Sequence, residues 1–549
     1  MRFQLSRRAF LATSGAALVA AHLPNLGAAQ PTTIVSTTNG PVQGISEAAV
    51  SRFLGLRYAQ PISGANRFLP PQKPEPWTEP FVADRHADTA PQGPEPVDGT
   101  PVTPAFAPPE YVSAGDDCLA LNVWTPDGAK NLPVMVWLHG GGWQSGSGSC
   151  AIYDGTRLAS RGDVIVVTIN HRLGAHGLTD FSRILGGFWK DSDNLSVKDM
   201  VAALEWVRDN IAGFGGDPDT VTIFGESGGG WKVNTLLGVP SAKGLFHRAI
   251  VQSGPLTRFH TPDAADDVAR KMLAALGISE NDPQALSHLT MEQVLEAERA
   301  VMAEIPMSMA APGFPSGFWP VIDGTFITRH VHDPDTAPAN SDVPLLLGQT
   351  GTEFTLFMLQ DKAAYDLDDA GLEARVAQTF GADNAPWLLD TYRSQFPDYD
   401  PSGLWFRMFS DYSMGAWSNT ILDVRSATGA APVYAYRFDW MTPIMEGKLY
   451  SPHTIEIPFA FDNVTTDAGR IMTEGGAEAV ALAQTVSEAW VNFAKTGKPA
   501  AASLPDWPEY TPETRQAMHL NVDSSVDTYI DPRAFDLFKG LLWSRAGLE

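Results

Sequence analysis

The chain has little cysteine, little basic charge and no long apolar run in its body, and each shortage excludes a class of protein. Two cysteines in 549 residues are too few for a disulfide scaffold or a four-cysteine zinc site. Lysine and arginine number 38 against 63 acidic residues, a formal charge of −25, which disfavours a nucleic-acid partner because phosphate binding needs a basic surface. After residue 29, no segment is apolar enough to span a membrane. Hydrophobic residues make up 44% of the chain, enough for a large buried core.

The first 29 residues are typical of an export signal. Arg7 and Arg8 are followed by Phe-Leu, and an apolar run then extends to Ala21. The run is shorter than the about 20 residues that cross a bilayer, and it leads to the small residues 27–29. We therefore predict a twin-arginine-type signal peptide over residues 1–29 and a periplasmic or secreted bacterial protein. An uncleaved membrane anchor is the alternative.

Strand-like and helix-like segments alternate through most of the chain. The apolar, β-branched runs lie at 119–124, 134–138, 164–169, 221–224 and 432–438, and the helical segments at 196–212, 262–304, 366–396 and 476–497. This alternation predicts an α/β fold with a large, mostly parallel central sheet flanked by helices. A short β-meander is predicted before it, over residues 31–60. The sequence shows no internal repeat and no linker. We therefore expect one domain over 30–549 with helical cap insertions around 262–345 and 355–430. The length alone suggests several domains.

A serine stands where a strand meets a glycine-rich turn. Residues 221–224 run directly into Gly-Glu-Ser-Gly-Gly-Gly at 225–230, which contains the pattern G-x-S-x-G. The pattern alone is weak, but a preceding strand and a following helical segment are what a nucleophile elbow requires. Ser227 is therefore the predicted nucleophile, and a merely structural turn serine is the alternative.

A second glycine-rich segment follows another strand. Residues 139–143 read His-Gly-Gly-Gly-Trp and come directly after the run at 134–138. Consecutive glycines allow backbone N–H groups to approach a ligand oxygen closely. Such a loop is the expected partner of the elbow, because an oxyanion hole needs preorganised donors. A plain turn would not explain its place after a strand and upstream of Ser227.

These and other motifs together resemble the type B carboxylesterases, the family of the cholinesterases and para-nitrobenzyl esterases, which have the α/β-hydrolase fold. The resemblance spans roughly residues 33–545. Its motifs lie at 53–59, 117–123, 139–143, 170–174, 210–218, 221–230 and 318–324. The number of motifs and their order make the resemblance specific.

The resemblance supplies the other two members of a catalytic triad. The family's acid lies in a Gly-x-x-x-x-Glu segment, matched by residues 348–353, and its histidine lies in a His-x-x-Glu segment, matched by residues 453–456. It thus implies Glu353 and His453 as partners of Ser227, in the chain order expected of α/β-hydrolases. Without the resemblance, Glu353 would be one of 63 acids that nothing distinguishes.

The implied reaction is two-step acyl transfer on a small-molecule ester. Ser227 attacks the ester, His453 carries the proton, and the N–H groups of Gly141, Gly142 and Gly228 bind the oxyanion. This chemistry requires no metal and no organic cofactor. The pair His330 and His332, with its metal-ligand spacing, is more simply read as surface residues because no third ligand is evident.

The sequence departs from the family pattern at three positions. Gly228 stands where alanine is usual, so the turn is expected to be looser. Phe354 follows the acid where glycine is usual, and it is expected to shape the site. Ala90 stands where the family commonly has the cysteine that pairs with Cys118. Cys118 and Cys150 are therefore expected to be buried thiols outside any disulfide.

The substrate pocket is expected to be apolar. Apolar clusters occur around 302–319 and 405–417, and the proposed wall residues are Trp231, Phe354, Phe318 and Trp319. Choline-type relatives resemble one another in a tryptophan on the loop that their disulfide closes, but residues 78–123 contain none. We therefore predict uncharged esters with bulky or aromatic groups and short to medium acyl chains.

Several alternatives remain open at this stage. A lipase or sterol esterase has the same fold, and cholinesterase-like domains also serve as non-catalytic binding proteins, although no triad residue is missing here. A redox protein is disfavoured because no G-x-G-x-x-G follows a strand. We expect a monomer or homodimer without nucleic acid and without stable membrane insertion once the signal is removed.

Overall fold

The computed structural model describes residues 30–32, 34–47, 49–93, 99–305, 315–428 and 430–545. The predicted signal peptide, residues 1–29, lies outside the described residues. None of the helices in the described ranges combines the length and the hydropathy needed to cross a membrane.

The strands of the described residues range from two residues to the eleven of Gly216–Glu226. They are Gln30–Pro31 (β1), Val35–Ser36 (β2), Pro41–Gln43 (β3), Ile45–Glu47 (β4), Val50–Arg57 (β5), Phe81–Val82 (β6), Ala120–Pro126 (β7), Leu132–Leu138 (β8), Ile165–Ile169 (β9), Gly216–Glu226 (β10), Arg248–Gln252 (β11), Leu345–Thr350 (β12), Val433–Phe438 (β13), Gln516–Leu520 (β14) and Ser525–Thr528 (β15).

Most of these strands form one large sheet. Its order is β1-β4-β5-β7-β9-β8-β10-β11-β12-β13-β14-β15, and β2, β3 and β6 form a separate small sheet. Neighbours from β9 through β14 are parallel, whereas the pairs at both margins are antiparallel. The carboxyl ends of β8, β10, β11 and β12 therefore meet at one edge, where ligands bind in open α/β sheets.

Helices cover the sheet and fill its long connections. They are Thr156–Gly162 (α1), Gly174–Leu178 (α2), Ser182–Leu185 (α3), Leu195–Asn210 (α4), Gly228–Leu237 (α5), Pro262–Leu276 (α6), Met291–Glu304 (α7), Asp369–Phe380 (α8), Ala385–Gln395 (α9), Pro401–Ser410 (α10), Ala416–Ala427 (α11), Ile457–Ala460 (α12), Asp467–Thr473 (α13), Ala477–Thr496 (α14) and Pro532–Arg545 (α15). A π-helical turn, Asp411–Gly415, joins α10 to α11. The connection from β11 to β12 holds α6 and α7, and that from β12 to β13 holds α8 to α11.

The core lies on both faces of the sheet, and β8 illustrates why. Its side chains alternate, so Val134, Val136 and Leu138 belong to the apolar cluster that includes residues of α4 and α5. Met135 and Trp137 belong to the cluster on the other face, with residues of α14. A strand buried on both faces reads as a continuous apolar run, which is why these runs could be recognised in the sequence. The predicted fold class, a large, mostly parallel sheet flanked by helices, is confirmed.

Candidate active site

Ser227 occupies the sharp turn between β10 and α5. Its backbone adopts φ 57° and ψ −123°, a strained conformation for a residue with a side chain. The turn is held by two backbone hydrogen bonds: Ser227 N–H donates to Gln252 O (2.9 Å), and Trp231 N–H donates to Ser227 O (3.1 Å). A strained serine between strand and helix is the geometry of a nucleophile elbow.

The glycine loop, residues 139–143, lies directly against this turn. Gly141 and Gly142 have φ of +84° and +62°, which glycine adopts at little cost. A Cβ atom at Gly228 would lie only 2.3 Å from Gly142 N and 2.4 Å from its Cα and O. The glycine at 228, unusual for the resembled family, therefore permits a backbone approach that alanine would obstruct. The three predicted oxyanion donors are thus brought together.

Glu353 and His453 meet behind the nucleophile. His453 Nδ1 lies 2.5 Å from Glu353 Oε2. The other carboxylate oxygen, Oε1, accepts hydrogen bonds from Ser253 Oγ (2.6 Å) and Thr350 N–H (2.8 Å). Glu353 follows the end of β12 and is fully buried. A carboxylate held by three donors can orient the imidazole so that Nδ1 carries the proton and Nε2 remains available.

His453 and Ser227 lie at the same small cavity. Both residues line a cavity of about 40 Å³. Nε2 has no hydrogen-bond partner among the described residues, while Glu226 Oε1 lies 3.3 Å from it. The ring of Phe357 packs against the imidazole, with centroids 4.9 Å apart. Of the two ring nitrogens, Nε2 is thus the one that Glu353 does not engage.

Sequence reasoning missed two further glutamates and a serine around His453. Glu226 precedes the nucleophile, and Glu456 ends the His-x-x-Glu segment; both are buried. Ser253 Oγ, 2.6 Å from Glu353, also lies 3.2 Å from Glu456 Oε1. The signals were present, because both glutamates belong to motifs recognised in the sequence. Ser253, which follows the short strand β11, carried no such signal.

Burial and mutual repulsion set the charge of these carboxylates. Burial, followed by the charges of Glu456 and Glu353, raises the pKa of Glu226 well above its ordinary range. Burial, followed by the charge of Glu353, raises the pKa of Glu456 to about 8. Like charges this close cannot all be ionised. Both pKa shifts therefore favour the neutral, protonated form of these two side chains.

The cavity wall differs from the predicted one. The cavity at Ser227 is lined by Phe106, Cys150, Tyr153 and Phe357, among other residues. An adjoining cavity of about 260 Å³ shares Phe106 and Cys150 with it. Both cavities are bounded by loops rather than by the predicted helical clusters.

The four predicted wall residues pack into the surrounding core instead. Trp231 and Trp319 contact each other, with ring centroids 4.9 Å apart, and Phe354 packs on Phe409 at 5.0 Å. Trp231, Phe318, Trp319 and Phe354 are all buried, and none lines either cavity. Residues 306–314 of the first predicted cluster lie outside the described residues.

The remaining sequence candidates have structural partners. His332 is buried, with Nε2 2.9 Å from Asn234 Oδ1, and His330 Nδ1 accepts from Phe259 N–H. Among the residues that the structure describes, no group of three or more metal-ligating side chains occurs. Cys118 and Cys150 are buried and form no disulfide within that part of the chain, and burial raises the pKa of the Cys118 thiol.

The parallel sheet, with a serine at the turn after a central strand, defines an α/β-hydrolase. A model of the carboxylesterase family matches residues 31–538. Para-nitrobenzyl esterase of Bacillus subtilis is 35% identical over 502 residues, 91% of this chain and 97% of that protein. Phenmedipham hydrolase of Pseudarthrobacter oxydans is 33% identical, covering 87% and 92% of the two chains. The chain belongs to the carboxylesterase family and is a carboxylic ester hydrolase.

Solved structures agree with this assignment. A para-nitrobenzyl esterase structure superposes with a TM-score of 0.76 at 34% identity, over 92% of this chain and 99% of the other. An esterase from Clostridium hathewayi, described as hydrolysing aliphatic aromatic polyesters, superposes with a TM-score of 0.79 at 29% identity, over 94% and 100%.

Proposed function

We propose that the chain is an exported serine esterase that hydrolyses uncharged carboxylic esters with bulky or aromatic groups through a Ser227-His453-Glu353 triad. The observation that carries the triad is the 2.5 Å contact between His453 Nδ1 and Glu353 Oε2, with the histidine and Ser227 lining one cavity. This arrangement supplies a nucleophile, a base and the group that orients the base.

In the acylation step, Ser227 Oγ forms a bond to the ester carbonyl carbon while its proton passes to His453 Nε2. The carbonyl π electrons move to oxygen, and the N–H groups of Gly141, Gly142 and Gly228 bind the resulting oxyanion. The bond to the leaving oxygen then breaks, and His453 gives its proton to the departing alcohol. Glu353 stabilises the imidazolium in both proton transfers.

In the deacylation step, water repeats the same sequence on the acyl-enzyme. His453 Nε2 takes a proton from water as the oxygen attacks the acyl carbon. Collapse of the second tetrahedral adduct breaks the bond to Ser227 Oγ, which recovers a proton from His453 and releases the acid.

The substrate class follows from the cavity walls. Phe106, Tyr153 and Phe357 present aromatic surface next to Ser227, which favours apolar groups. The adjoining cavity of about 260 Å³ gives a larger group space to extend past Phe106. The names of similar proteins, which include a para-nitrobenzyl esterase and an esterase described as hydrolysing aliphatic aromatic polyesters, support esters with aromatic groups as substrates.

The experiment that tests the nucleophile is the exchange Ser227→Ala. It should lower kcat by several orders of magnitude while leaving folding unchanged, and a fluorophosphonate should label the native protein at Ser227. Ser279→Ala is the control, since Ser279 is exposed and lines neither cavity. Label on another serine, or full activity of Ser227→Ala, would refute the assignment.

Export is proposed from the arginine pair of the predicted signal. Exchanging Arg7 and Arg8 for lysine should leave active precursor in the cytoplasm, measured by fractionation and esterase assay. Unchanged export of the double variant would refute the twin-arginine route.

A further inference from the structure

A buried lysine lies beneath the glycine loop. Lys232 is on α5, five residues after Ser227, and its side chain is fully buried. A buried amine is costly unless its N–H groups find acceptors. Here Nζ donates to the carbonyl oxygen of His139 at 2.7 Å and to that of Gly140 at 3.4 Å. The helix that starts at the nucleophile is thus joined to the loop that supplies the oxyanion donors.

One of the two acceptors, the Gly140 carbonyl, belongs to a peptide unit that carries a predicted oxyanion donor. The His139 carbonyl shares its peptide with the N–H of Gly140, and the Gly140 carbonyl shares its peptide with the N–H of Gly141. A donor on the oxygen side of a peptide polarises the whole unit and makes its N–H a stronger donor. The effect therefore acts on an N–H that the proposed mechanism places at the oxyanion.

Two imidazoles lie near Lys232. The rings of His139 and His171 stack with centroids 5.0 Å apart, and burial, followed by the charge of Lys232, lowers the pKa of both well below the ordinary value. Both imidazoles are therefore neutral. Nζ also lies 5.9 Å from the centre of the Trp143 ring, within reach of a cation–π attraction.

We propose that Lys232 is a positioning residue for the oxyanion hole: its Nζ binds the carbonyls of His139 and Gly140, holds the glycine loop against Ser227 and strengthens the N–H donor of Gly141. The inference rests on the proposed function, since it requires that the oxyanion be bound at this loop. Lys232 does not touch the substrate and acts only through the loop.

The experiment replaces Lys232 by methionine, which has a similar length and no donor. The loss in kcat should be about ten- to a hundredfold, smaller than the roughly 10²–10³-fold loss that follows removal of a direct oxyanion donor. KM should change little, because the oxyanion exists only in the transition state. A trifluoromethyl ketone, which forms an anionic tetrahedral adduct with the serine, should bind more weakly by the same factor as kcat falls.

If Lys232 were merely structural, the melting temperature of Lys232→Met would fall in step with kcat. The positioning role predicts otherwise. Exchanging a buried charged group for an apolar one of similar volume is often neutral or stabilising, so the melting temperature should not fall in step with kcat. Thr235→Val is the matched control on α5, because Thr235 is equally buried and its hydroxyl donates to Trp231 O within the same helix. This control should retain wild-type kcat and inhibitor affinity.

Each result distinguishes the two proposals. If the native enzyme is labelled at Ser227 and is active, but Lys232→Met matches Thr235→Val, the role of Lys232 is refuted and the triad stands. A rise in KM with unchanged kcat would also refute it. If Lys232→Met does not fold, Lys232→Gln takes its place, and failure of both to fold would make Lys232 a structural residue. Absence of label at Ser227 would instead overturn the proposed function.

Discussion

At the scale of single residues, the charge around His453 depends on which of three buried glutamates is ionised. Glu353 accepts three hydrogen bonds, one of them from Nδ1 of His453. The pKa values of Glu226 and Glu456 are raised; Glu226 lies beside Nε2, and Glu456 contacts Ser253. One negative charge is thereby placed on the side of the ring where it can stabilise an imidazolium.

Sequence reasoning reached only part of this arrangement. Ser227 was found from its own pattern, whereas Glu353 and His453 came from the resemblance, because nothing local distinguishes one acid or histidine from another. Ser253 could not be found, since a lone serine after a short strand has no periodicity or motif. Its role arises only where β11 and β12 lie side by side in register.

The raised pKa of Glu456 has a consequence for stability. Folding moves this pKa from 4.5 to about 8, so between these values the folded chain holds a proton that the unfolded chain has lost. The free energy of unfolding should therefore fall as pH rises through this window. Glu456→Gln, which remains neutral and keeps an acceptor for Ser253, should remove that contribution.

Urea unfolding at pH 5, 6, 7 and 8 measures this effect. The Gln variant should gain stability relative to wild type as pH increases. The exposed acid Glu478 provides the control, because Glu478→Gln should leave the pH dependence unchanged. Parallel pH profiles of wild type and Glu456→Gln would contradict the assignment.

At the scale of elements, strands with long apolar runs were predictable, and strands with short apolar runs were not. β8, β9, β10 and β13 each contain the apolar run recognised in the sequence, because both of their faces are buried. β11 was missed since only three apolar residues, 249–251, stand between Arg248 and Gln252. β11 forms a strand because it pairs with β10 on one side and with β12 on the other, and its own sequence pattern does not show this.

The contact between the elbow and the glycine loop gives a prediction at this scale. Gly228→Ala introduces the residue usual in the resembled family, but its Cβ would meet backbone atoms of Gly142 at 2.3–2.4 Å. Backbone cannot move aside as a flexible side chain can, so the loop must shift. We expect kcat to fall by about tenfold or more, because a shifted loop misplaces oxyanion donors.

Steady-state kinetics and fluorophosphonate labelling rates check this expectation. Gly540→Ala is the control: Gly540 lies in α15, and nothing lies within 4 Å of an added Cβ. That exchange should leave activity unchanged and stabilise the helix by about 0.5–1 kcal/mol. Wild-type kcat in Gly228→Ala would mean that the loop tolerates the methyl group.

At the scale of the whole molecule, the fold was predictable and the cavity was not. Alternating runs predict the sheet and its helices, because burial on two faces leaves a strong pattern in the sequence. The cavity walls come from residues such as Phe106, Tyr153 and Phe357, which lie on separate irregular segments. Only the complete fold brings them together, and the sequence pattern favours the apolar helical clusters instead.

A cationic substrate is affected in opposite ways by the acidic chain as a whole and by the cavity at Ser227. A formal charge of −25 attracts cations over long distances, but salt screens that attraction. Inside the cavity, burial raises the pKa of Glu226 and favours its neutral form, so this carboxyl compensates little of the desolvation of a quaternary ammonium. The positive charge of a substrate should therefore speed its encounter with the protein at low salt and weaken its binding at the site.

The measurement is kcat/KM for a choline ester and for its uncharged carbon isostere, the 3,3-dimethylbutyl ester of the same acid. We expect the isostere to be preferred at about 0.15 M salt, where the Debye length is about 8 Å, and the difference to narrow as salt is lowered. Long-chain triglyceride emulsions should be poor substrates; a rate that rises sharply at the emulsion interface would favour the lipase alternative. A clear advantage for the choline ester at 0.15 M salt would contradict the expectation, because steering is then screened and only a dedicated cation site next to Ser227 would produce it.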